Sequence, residues 1–315
     1  MDKRIVTFML YDGLHLVDVA GPAEAMRHAG GYHLQYTSVD GGPARAQCGL
    51  SLAAELPIAD VARPSDLLVP GGDGIETAMQ NPAILRPVAR WLVDHPQSRV
   101  ISICSGALLL AEAGVLNGRS ATTHWCRADQ VHRNWPQVDW RLNQIHVHDG
   151  PVWTSAGVTS GIDLALAMIR QDHDAQTALA VARQMLVPVQ RGGGQDQYAK
   201  LLEAQYSTTE RLAPLIRAVT ASPGHNWHLN SMADFAALTP RTLSRQFQRD
   251  LGVSPARFVE RVRTDWAGNA LAGGAAPHQV AAAAGFGDLQ RMDRAFQRHH
   301  DCTSRAWLRR FGTAK

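Results

Sequence analysis

Two short helices joined by a tight turn are predicted between residues 230 and 252. On the first helix, a single apolar stripe at helical spacing comprises Met232, Phe235 and Ala236. On the second helix, apolar residues repeat four positions apart at Leu243, Phe247 and Leu251. Each helix has one face to bury, so the pair has to pack against further helices. This pattern predicts a helical domain in the C-terminal third of the chain.

Local signals set both ends of the second helix. Thr239 can act as its N-cap, and Pro240 suits the first helical position, where a missing N–H costs nothing. Gly252 favours a stop, so we expect a helix from residue 240 to 251. Its outward face carries side chains that hydrogen-bond bases and phosphates in a major groove: Arg241, Thr242, Ser244, Arg245, Gln248 and Arg249. Taken alone, the segment is equally compatible with an ordinary charged surface helix.

The same plan recurs further along the chain. A short Ala-rich helix precedes a Gly-Phe-Gly turn at residues 285 to 287, and Asp288 can cap a polar helix from residue 289 to 300. Met292 and Phe296 face inward on that helix. Its candidate DNA-contacting residues are Gln290, Arg291 and Arg294. Repetition of the unit favours DNA binding over an ordinary surface helix.

The two units, with the helix predicted between them, resemble the DNA-binding domain of AraC/XylS-type transcription regulators. The matching segments are residues 235 to 236, 241 to 247, 252 to 255, 285 to 288 and 294 to 296. The resemblance covers residues 210 to 315 and implies two helix-turn-helix units that enter successive major grooves about 10 bp apart. It also implies that Asp293 stands where relatives often carry a cation and faces DNA. Trp266 and Gly268 are unusual in the joining helix and mark it as a possible weak point.

Charge is segregated along the chain in the same sense. Residues 210 to 315 hold 15 Lys and Arg against 8 Asp and Glu, or +7, while the remainder holds 16 against 20, or −4, which together give the overall +3. All of those 15 cations except Lys315 are arginine, whose planar side chain pairs with phosphates and guanine. This asymmetry favours double-stranded nucleic acid as a partner of the C-terminal part.

Other broad classes receive no support. The apolar fraction of 45% is ordinary, no long apolar run could span a bilayer, and the first residues lead directly into a strand pattern, so we expect a cytoplasmic protein without a membrane partner. The four cysteines lack metal-ligand spacing and are expected to be free thiols: Cys48, Cys104, Cys126 and Cys302. His146 and His148 alternate on a predicted strand, but no third ligand accompanies them. No metal and no cofactor are predicted.

Strand and helix patterns alternate through the first part of the chain, which predicts an α/β domain with a parallel sheet flanked by helices. Its last element is expected to be one long helix from residue 161 to about 185. Three successive glycines within residues 188 to 209 indicate a linker. We therefore expect an α/β domain at residues 1 to 187 and an all-α domain with two helix-turn-helix units at residues 210 to 315.

A buried strand that turns abruptly into a helix at Cys104 has the pattern of a nucleophile elbow. The helix N-terminus just beyond is expected to lower the pKa of the thiol. Gly71 and Gly72 follow the preceding strand and could bring backbone N–H groups to the same place, as an oxyanion hole requires. The two loops are expected to build one pocket.

Residues 4 to 185 resemble the PfpI-like, type 1 glutamine amidotransferase-like superfamily, whose members include isocyanide hydratase. The matching residues are Asp18, Gly21-Pro22, Leu68 to Gly72, Cys104 to Ala107, Gly118-Arg119, Thr122 to Trp125, Thr154 to Gly157 and Gly161 to Ala165. The resemblance implies that Cys104 corresponds to the nucleophile and that the Asp18 carboxylate hydrogen-bonds its sulfur. Ser105 replaces the histidine found after the cysteine in protease-like members. His124 is expected near the pocket, with either a structural or a direct role.

Three interpretations of Cys104 remain open at this stage: a residue that lines a ligand pocket, a redox- or electrophile-sensing thiol, and a catalytic nucleophile. The pairing of the two domains resembles the GlxA-type regulators. This implies a dimeric transcription regulator controlled by a small-molecule effector, with RNA polymerase as a further partner if it activates. The alternative is a cysteine-dependent hydratase or amidase with an autoregulatory DNA-binding domain.

Overall fold

A computed structural model describes residues 3–61, 65–187, 212–272, 274–300 and 302–311. The chain divides into two compact units, Met1–Pro188 and Val189–Lys315. The predicted linker at residues 188 to 209 lies outside the described residues. Within the described part of the chain, no helix combines the length and the apolar character needed to cross a membrane.

The first unit is built on a parallel sheet, as the alternating pattern predicted. Its strands are β1 (Arg4–Met9), β2 (Tyr32–Ser38), β3 (Ala44–Arg45), β4 (Ser51–Leu52), β5 (Leu56–Pro57), β6 (Asp66–Val69), β7 (Val100–Ile103), β8 (Ser120–Ala121), β9 (Asp139–Trp140), β10 (His146–Asp149) and β11 (Val152–Ser155). Among the described residues, seven strands form the main sheet in the order β10-β11-β7-β6-β1-β2-β5. All of its pairings are parallel except the edge pair of β10 with β11. The central strands β6 and β7 are buried throughout because helices cover both faces of such a sheet.

The helices of the first unit are α1 (Leu16–Ala29), α2 (Ile75–Met79), α3 (Pro82–Asp94), α4 (Gly106–Glu112), α5 (Ala128–Asn134), α6 (Ser160–Asp172) and α7 (Ala175–Gln184). The single long helix predicted from residue 161 to 185 is wrong. The chain leaves helical geometry at His173, which has φ −118° and ψ −99°. Asp174 then starts a new helix, because its side chain accepts a hydrogen bond from the Thr177 amide at 2.7 Å.

Buried ion pairs tie together the amino ends of the strands. The Asp66 carboxylate accepts from Arg4 and from Arg99, each at 2.7 Å. Arg99 also reaches Asp172 at 2.7 Å, and the Tyr32 hydroxyl donates to the same carboxylate at 2.7 Å. With these partners the charges are satisfied at one edge of the sheet. The loops at the opposite, carboxyl edge are the ones that carry the predicted elbow.

The second unit is helical throughout its described part. Its helices are α8 (Leu212–Ala221), α9 (Leu229–Phe235), α10 (Pro240–Leu251), α11 (Pro255–Ala272), α12 (Pro277–Ala283), α13 (Leu289–His300) and α14 (Ser304–Phe311). Helices α9 and α10 form the first helix-turn-helix unit, α12 and α13 the second, and α11 joins them. Two apolar cores result, one around Phe247 and one around Phe296.

The predicted limits of α10 are confirmed. The Thr239 side chain accepts from the Thr242 amide at 3.2 Å, and Gly252 ends the helix in the left-handed conformation with φ 65°. Asp288 caps α13 by accepting from the Arg291 amide at 2.7 Å. These signals are local in sequence, so they survive folding unchanged.

The predicted buried stripe of α9 is only partly correct. Met232 and Ala236 are buried, but Phe235 is 53% exposed. Its ring packs edge-on against Trp227, with centroids 5.8 Å apart. Phe235 therefore stands on the surface of the domain instead of in the first core.

Candidate ligand pocket and nucleic-acid interface

The elbow lies where the sequence predicted it, at the carboxyl end of β7. Cys104 has a left-handed backbone with φ 55°, a conformation that costs energy for a residue with a Cβ. Its amide donates to the Ser155 carbonyl at 3.0 Å, and its carbonyl accepts from the Thr123 hydroxyl at 2.8 Å. Gly157 lies so close that a Cβ there would stand 2.6 Å from the Cys104 sulfur. The surrounding loops thus hold the strained turn in place.

The Asp18 carboxylate is fully buried and joins two of these loops. One oxygen accepts from the Gly71 amide and the other from the Val158 amide, both at 3.0 Å. The His15 ring lies 3.3 Å away. Burial raises the pKa of Asp18, while the two amides and His15 oppose that effect. The hydrogen bond from Asp18 to the Cys104 sulfur, which the resemblance implies, stays a prediction.

The oxyanion hole expected at Gly71 and Gly72 stays a prediction. The Gly71 amide donates to Asp18, and the Gly72 amide donates to the Ser105 hydroxyl oxygen at 3.0 Å. Both donors already have acceptors inside the protein. Their role in this structure is to hold the loop after β6 against the elbow.

The expected lowering of the Cys104 thiol pKa is wrong. Burial raises the pKa of Cys104 to about 12, and the nearby charge of Asp18 adds to the increase. The amide and hydroxyl of Ser105 favour the thiolate but do not outweigh burial. At neutral pH the sulfur is therefore a protonated thiol and a weak nucleophile.

Around the elbow lies a group of side chains that retain exposed atoms. Burial lowers the pKa of His124, and the nearby charges of Arg127 and His15 act in the same direction. The His124 Nδ1 lies 2.9 Å from the sulfur of Cys126, which is exposed. Trp125 is 54% exposed, and its ring lies tilted beside the His124 ring with the centroids 5.6 Å apart. The sequence interpretation did not assign His15, Trp125 or Cys126 to the site, although Trp125 and Cys126 directly follow His124.

We call His15, Cys104, His124, Trp125 and Cys126 the elbow pocket. It offers two imidazole rings, two thiols and one aromatic surface. These groups suit a small polar organic molecule, which they can contact through hydrogen bonds and through the indole ring.

The described residues contain no group of three His, Cys, Asp or Glu side chains that could hold a metal ion. His148, considered from the sequence, stacks on Trp153 with ring centroids 3.9 Å apart. Its Nε2 lies 2.8 Å from the Gly150 carbonyl. All four cysteines are free.

In the second unit, the first recognition helix α10 turns one polar stripe outward. Arg241, Arg245 and Gln248 are exposed and lie at i, i+4 and i+7, opposite the buried Leu243 and Phe247. Two other predicted contacts are less accessible, since Thr242 and Ser244 are half-buried. The Thr242 hydroxyl also lies 2.9 Å from that of Thr239. Arg249 pairs with Asp250 at 2.5 Å, so its charge is partly satisfied within the helix.

The second recognition helix α13 repeats this arrangement 49 residues later. Its predicted contacts Gln290, Arg291 and Arg294 are all exposed. The stripe that corresponds to Arg241, Arg245 and Gln248 comprises Gln290, Arg294 and Gln297, all exposed. Gln297 was missed by the sequence interpretation, although the register of the buried Met292 and Phe296 against Leu243 and Phe247 would have identified it.

The expectation that Asp293 faces DNA is wrong. Its carboxylate turns toward the last helix, where it accepts from the Ser304 amide at 2.8 Å and from the Ser304 hydroxyl at 2.5 Å. Gly268 also has a packing role, because ring atoms of Trp307 would lie 3.3 Å from a Cβ at that position and the Trp307 indole donates to the Gly268 carbonyl at 3.2 Å. The small residue lets the last helix approach the joining helix.

An α/β unit with a cysteine at a strained elbow, followed by a helical unit with two helix-turn-helix pairs, defines a class of DNA-binding regulators with an enzyme-like first domain. Residues 3–171 match the DJ-1/PfpI family, and residues 232–310 match a helix-turn-helix domain. The chain belongs to the DJ-1/PfpI family, and its second unit makes it a GlxA-type regulator with an AraC-type helix-turn-helix domain.

Three curated relatives represent this family. The HTH-type transcriptional regulator CdhR of Pseudomonas aeruginosa is 30% identical over 268 residues, which cover 82% of this chain and 77% of that protein. The HTH-type transcriptional regulator GlxA of Rhizobium meliloti is 24% identical across 98% of this chain and 96% of that protein. The isonitrile hydratase of Pseudomonas putida is 29% identical over 182 residues, which cover 57% of this chain and 77% of that enzyme.

Proposed function

We propose that this regulator binds specific promoter sequences with its two recognition helices and is controlled by a small metabolite bound in the elbow pocket. The observation that carries the proposal is the exposed stripe that recurs in both helices in the same register. Its members are Arg241, Arg245 and Gln248 on α10 and Gln290, Arg294 and Gln297 on α13. Arginine and glutamine are the side chains that pair with guanine and adenine edges in the major groove.

On DNA, each recognition helix contacts one major groove, and the two grooves lie about 10 bp apart. Arg245 and Arg294 occupy equivalent positions at the centre of the two stripes and are the best candidates for base contacts. Replacing either with alanine is expected to weaken specific binding by about 1–3 kcal/mol, which is roughly 5- to 150-fold. It should also relax specificity at the base pairs that the altered helix contacts. The matched control is Arg249→Ala, since Arg249 is already paired with Asp250. Equal effects of all three substitutions would contradict the assignment.

The effector is proposed to bind beside Cys104, against His15, His124 and Trp125. A ligand changes transcription only if it binds the DNA-competent and incompetent states with different affinity. A thermal-shift screen of small polar metabolites tests the pocket, because a ligand raises the melting temperature of the state it binds. The shift should disappear in His124→Ala and persist in Cys48→Ser, which removes an exposed thiol elsewhere.

The similarity to isonitrile hydratase supports a second candidate, a cysteine-dependent hydratase or amidase. We favour a non-catalytic first unit, because the Gly71 and Gly72 amides have internal acceptors and burial raises the pKa of the Cys104 thiol. The discriminating variant is Cys104→Ala. If it abolishes turnover of an isonitrile and leaves promoter binding and its effector response intact, the enzyme interpretation is preferred.

Three further parts of the proposal follow from the family resemblance. We propose that the protein acts as a homodimer in the cytoplasm, and that it contacts RNA polymerase if it activates transcription. Light scattering of the full chain, with and without operator DNA, measures the first of these directly.

A further inference from the structure

The joining helix α11 contributes to both apolar cores of the second unit. Phe258 and Val259, near its start, pack into the core of the first helix-turn-helix unit. Ala267 and Leu271, near its end, pack into the core of the second. Each core therefore stabilises its own unit. The angle between the two helix-turn-helix units depends on contacts made around the middle of α11.

Arg263 makes one set of those contacts. Its Nε donates to the Pro223 carbonyl at 3.0 Å, and its Nη2 donates to the His225 carbonyl at 2.9 Å. Both carbonyls belong to the loop between α8 and α9, just before the first helix-turn-helix unit. On the other side, a Cβ at Gly285 would lie 2.9 Å from the Arg263 Nη2. The guanidinium thus lies between this loop and the Gly-Phe-Gly turn of the second helix-turn-helix unit.

The same loop approaches the second helix-turn-helix unit directly. A Cβ on Gly224 would overlap the carbonyl oxygen of Ala283, at the end of α12. Gly224 is the residue between the two whose carbonyls accept from Arg263. A glycine there lets the backbone of the loop before the first helix-turn-helix unit contact the backbone of the second helix-turn-helix unit.

Glu260 makes a second bridge one turn earlier on α11. Its carboxylate accepts from Arg298 at 2.6 Å and 3.2 Å, and it lies 3.1 Å from the His299 Nε2. Both partners belong to the second recognition helix. Arg257 reaches the same carboxylate from the joining helix at 2.9 Å. Glu260 therefore ties the end of that recognition helix to the joining helix.

We propose that Arg263 and Glu260 are positioning residues that fix the separation of the two recognition helices. They would thereby determine the spacing that the regulator accepts between two blocks of base pairs, each block being the base pairs that one recognition helix contacts. The proposal rests on the proposed DNA-binding function. One base pair moves a block about 3.4 Å along the DNA axis. A pair of helices held by two bridges cannot follow that step without losing contacts in one groove.

The test is in vitro selection from random double-stranded DNA with the full-length chain, followed by affinity measurement on selected sequences with one base pair inserted or deleted between the blocks. The wild-type protein should prefer its best spacing by about tenfold or more, the cost of about 1.4 kcal/mol in lost contacts. Arg263→Gln should reduce that preference to about twofold. Glu260→Gln should do so independently, which keeps the test valid if one variant fails to fold. Arg263→Lys, which retains one charge and can reach one carbonyl, should restore part of it.

The control is Arg217→Gln, which removes an exposed arginine of α8 without touching either bridge. A merely structural role would lower the affinity for all spacings alike and leave the preference unchanged, and that result would overturn the proposal. Selection of a single block by the wild-type protein would overturn it too, while leaving DNA binding established. Failure of the wild-type chain to enrich any sequence would instead refute the proposed function itself.

Discussion

The Asp293 carboxylate accepts two hydrogen bonds from Ser304, one from the amide and one from the hydroxyl, at the start of the last helix. The acidic group in the second recognition helix is therefore used inside the domain. Arg291 and Arg294, on either side of it, remain exposed. The second helix-turn-helix unit can therefore present a basic surface to DNA, as the first helix-turn-helix unit does.

Replacing Asp293 with alanine should destabilise the second unit by about 1–3 kcal/mol, because the Ser304 amide and hydroxyl lose a charged acceptor. The affinity for DNA and its salt dependence should stay the same. Chemical denaturation measures the first effect and a salt titration of DNA binding the second. If DNA binding tightened strongly and the salt slope steepened, Asp293 would have to face the phosphates after all.

Cys126 should react with iodoacetamide well before Cys104. Burial raises the pKa of Cys104 to about 12, so at pH 8 only about one molecule in ten thousand carries the thiolate. Cys126 is exposed and lies beside the His124 ring. Mass spectrometry of peptides after timed labelling gives both rates, with the exposed Cys48 as an internal reference. Faster labelling of Cys104 than of Cys48 would mean that the elbow thiol is activated.

Asp18 should be necessary for the integrity of the elbow. Asp18→Ala leaves the amides of Gly71, which is buried, and Val158, which is half-buried, without their acceptor, which should cost about 2 kcal/mol. Urea denaturation followed by tryptophan fluorescence measures the loss, and faster hydrogen exchange at those two amides locates it. The control is Asp129→Ala, at an exposed position of α5. A change no larger than that of the control would show that the loops are held by other contacts.

The His300 side chain should make the stability of the second unit depend on pH. It is 3% exposed and packs between Phe296 and Trp307. Burial, with the neighbouring charges of His299 and Arg261, lowers its pKa to about 4. The unfolded chain binds a proton near pH 6.5 but the folded chain does not until about pH 4. The stabilisation is therefore complete above about pH 6.5 and is lost as the pH falls toward 4, by up to about 3 kcal/mol.

His300→Phe should flatten this dependence between pH 5 and 6.5, a window above the titration of most carboxylates. The comparison is with His278→Gln, which changes an exposed histidine of the same unit. Free energies of unfolding measured across the window decide the matter. An unchanged slope in His300→Phe would assign the pH dependence to other groups.

The parts of the structure that were predicted correctly depend on residues close in sequence. The limits of α10 follow from Thr239, Pro240 and Gly252, and the cap of α13 follows from Asp288, because each acts within one turn of helix. The alternating pattern predicted the parallel sheet for the same reason. The elbow at Cys104 was also predictable, since a buried strand that leads directly into a helix leaves the chain little choice.

The errors concern residues whose surroundings are set by distant parts of the chain. The predicted thiol pKa considered only the helix after Cys104, whereas burial and the nearby charge of Asp18 outweigh it. Asp293 was assigned to the DNA face because its partner, Ser304, lies on a different helix. Phe235 was expected to be buried, but the first core is filled without it. Helical periodicity cannot supply this information.

Sequence-specific DNA binding through two recognition helices is the property on which the other proposals depend. Its most direct test is a titration of the full-length protein against fluorescent DNA from the region upstream of its own gene and neighbouring genes, with shuffled DNA as control, at several salt concentrations. We expect a preference of about a thousandfold or more for one fragment and a steep loss of affinity with salt. The preference should be lost in an Arg245→Ala, Arg294→Ala double variant. Equal, weak binding to promoter and shuffled DNA, unchanged by the double variant, would contradict it.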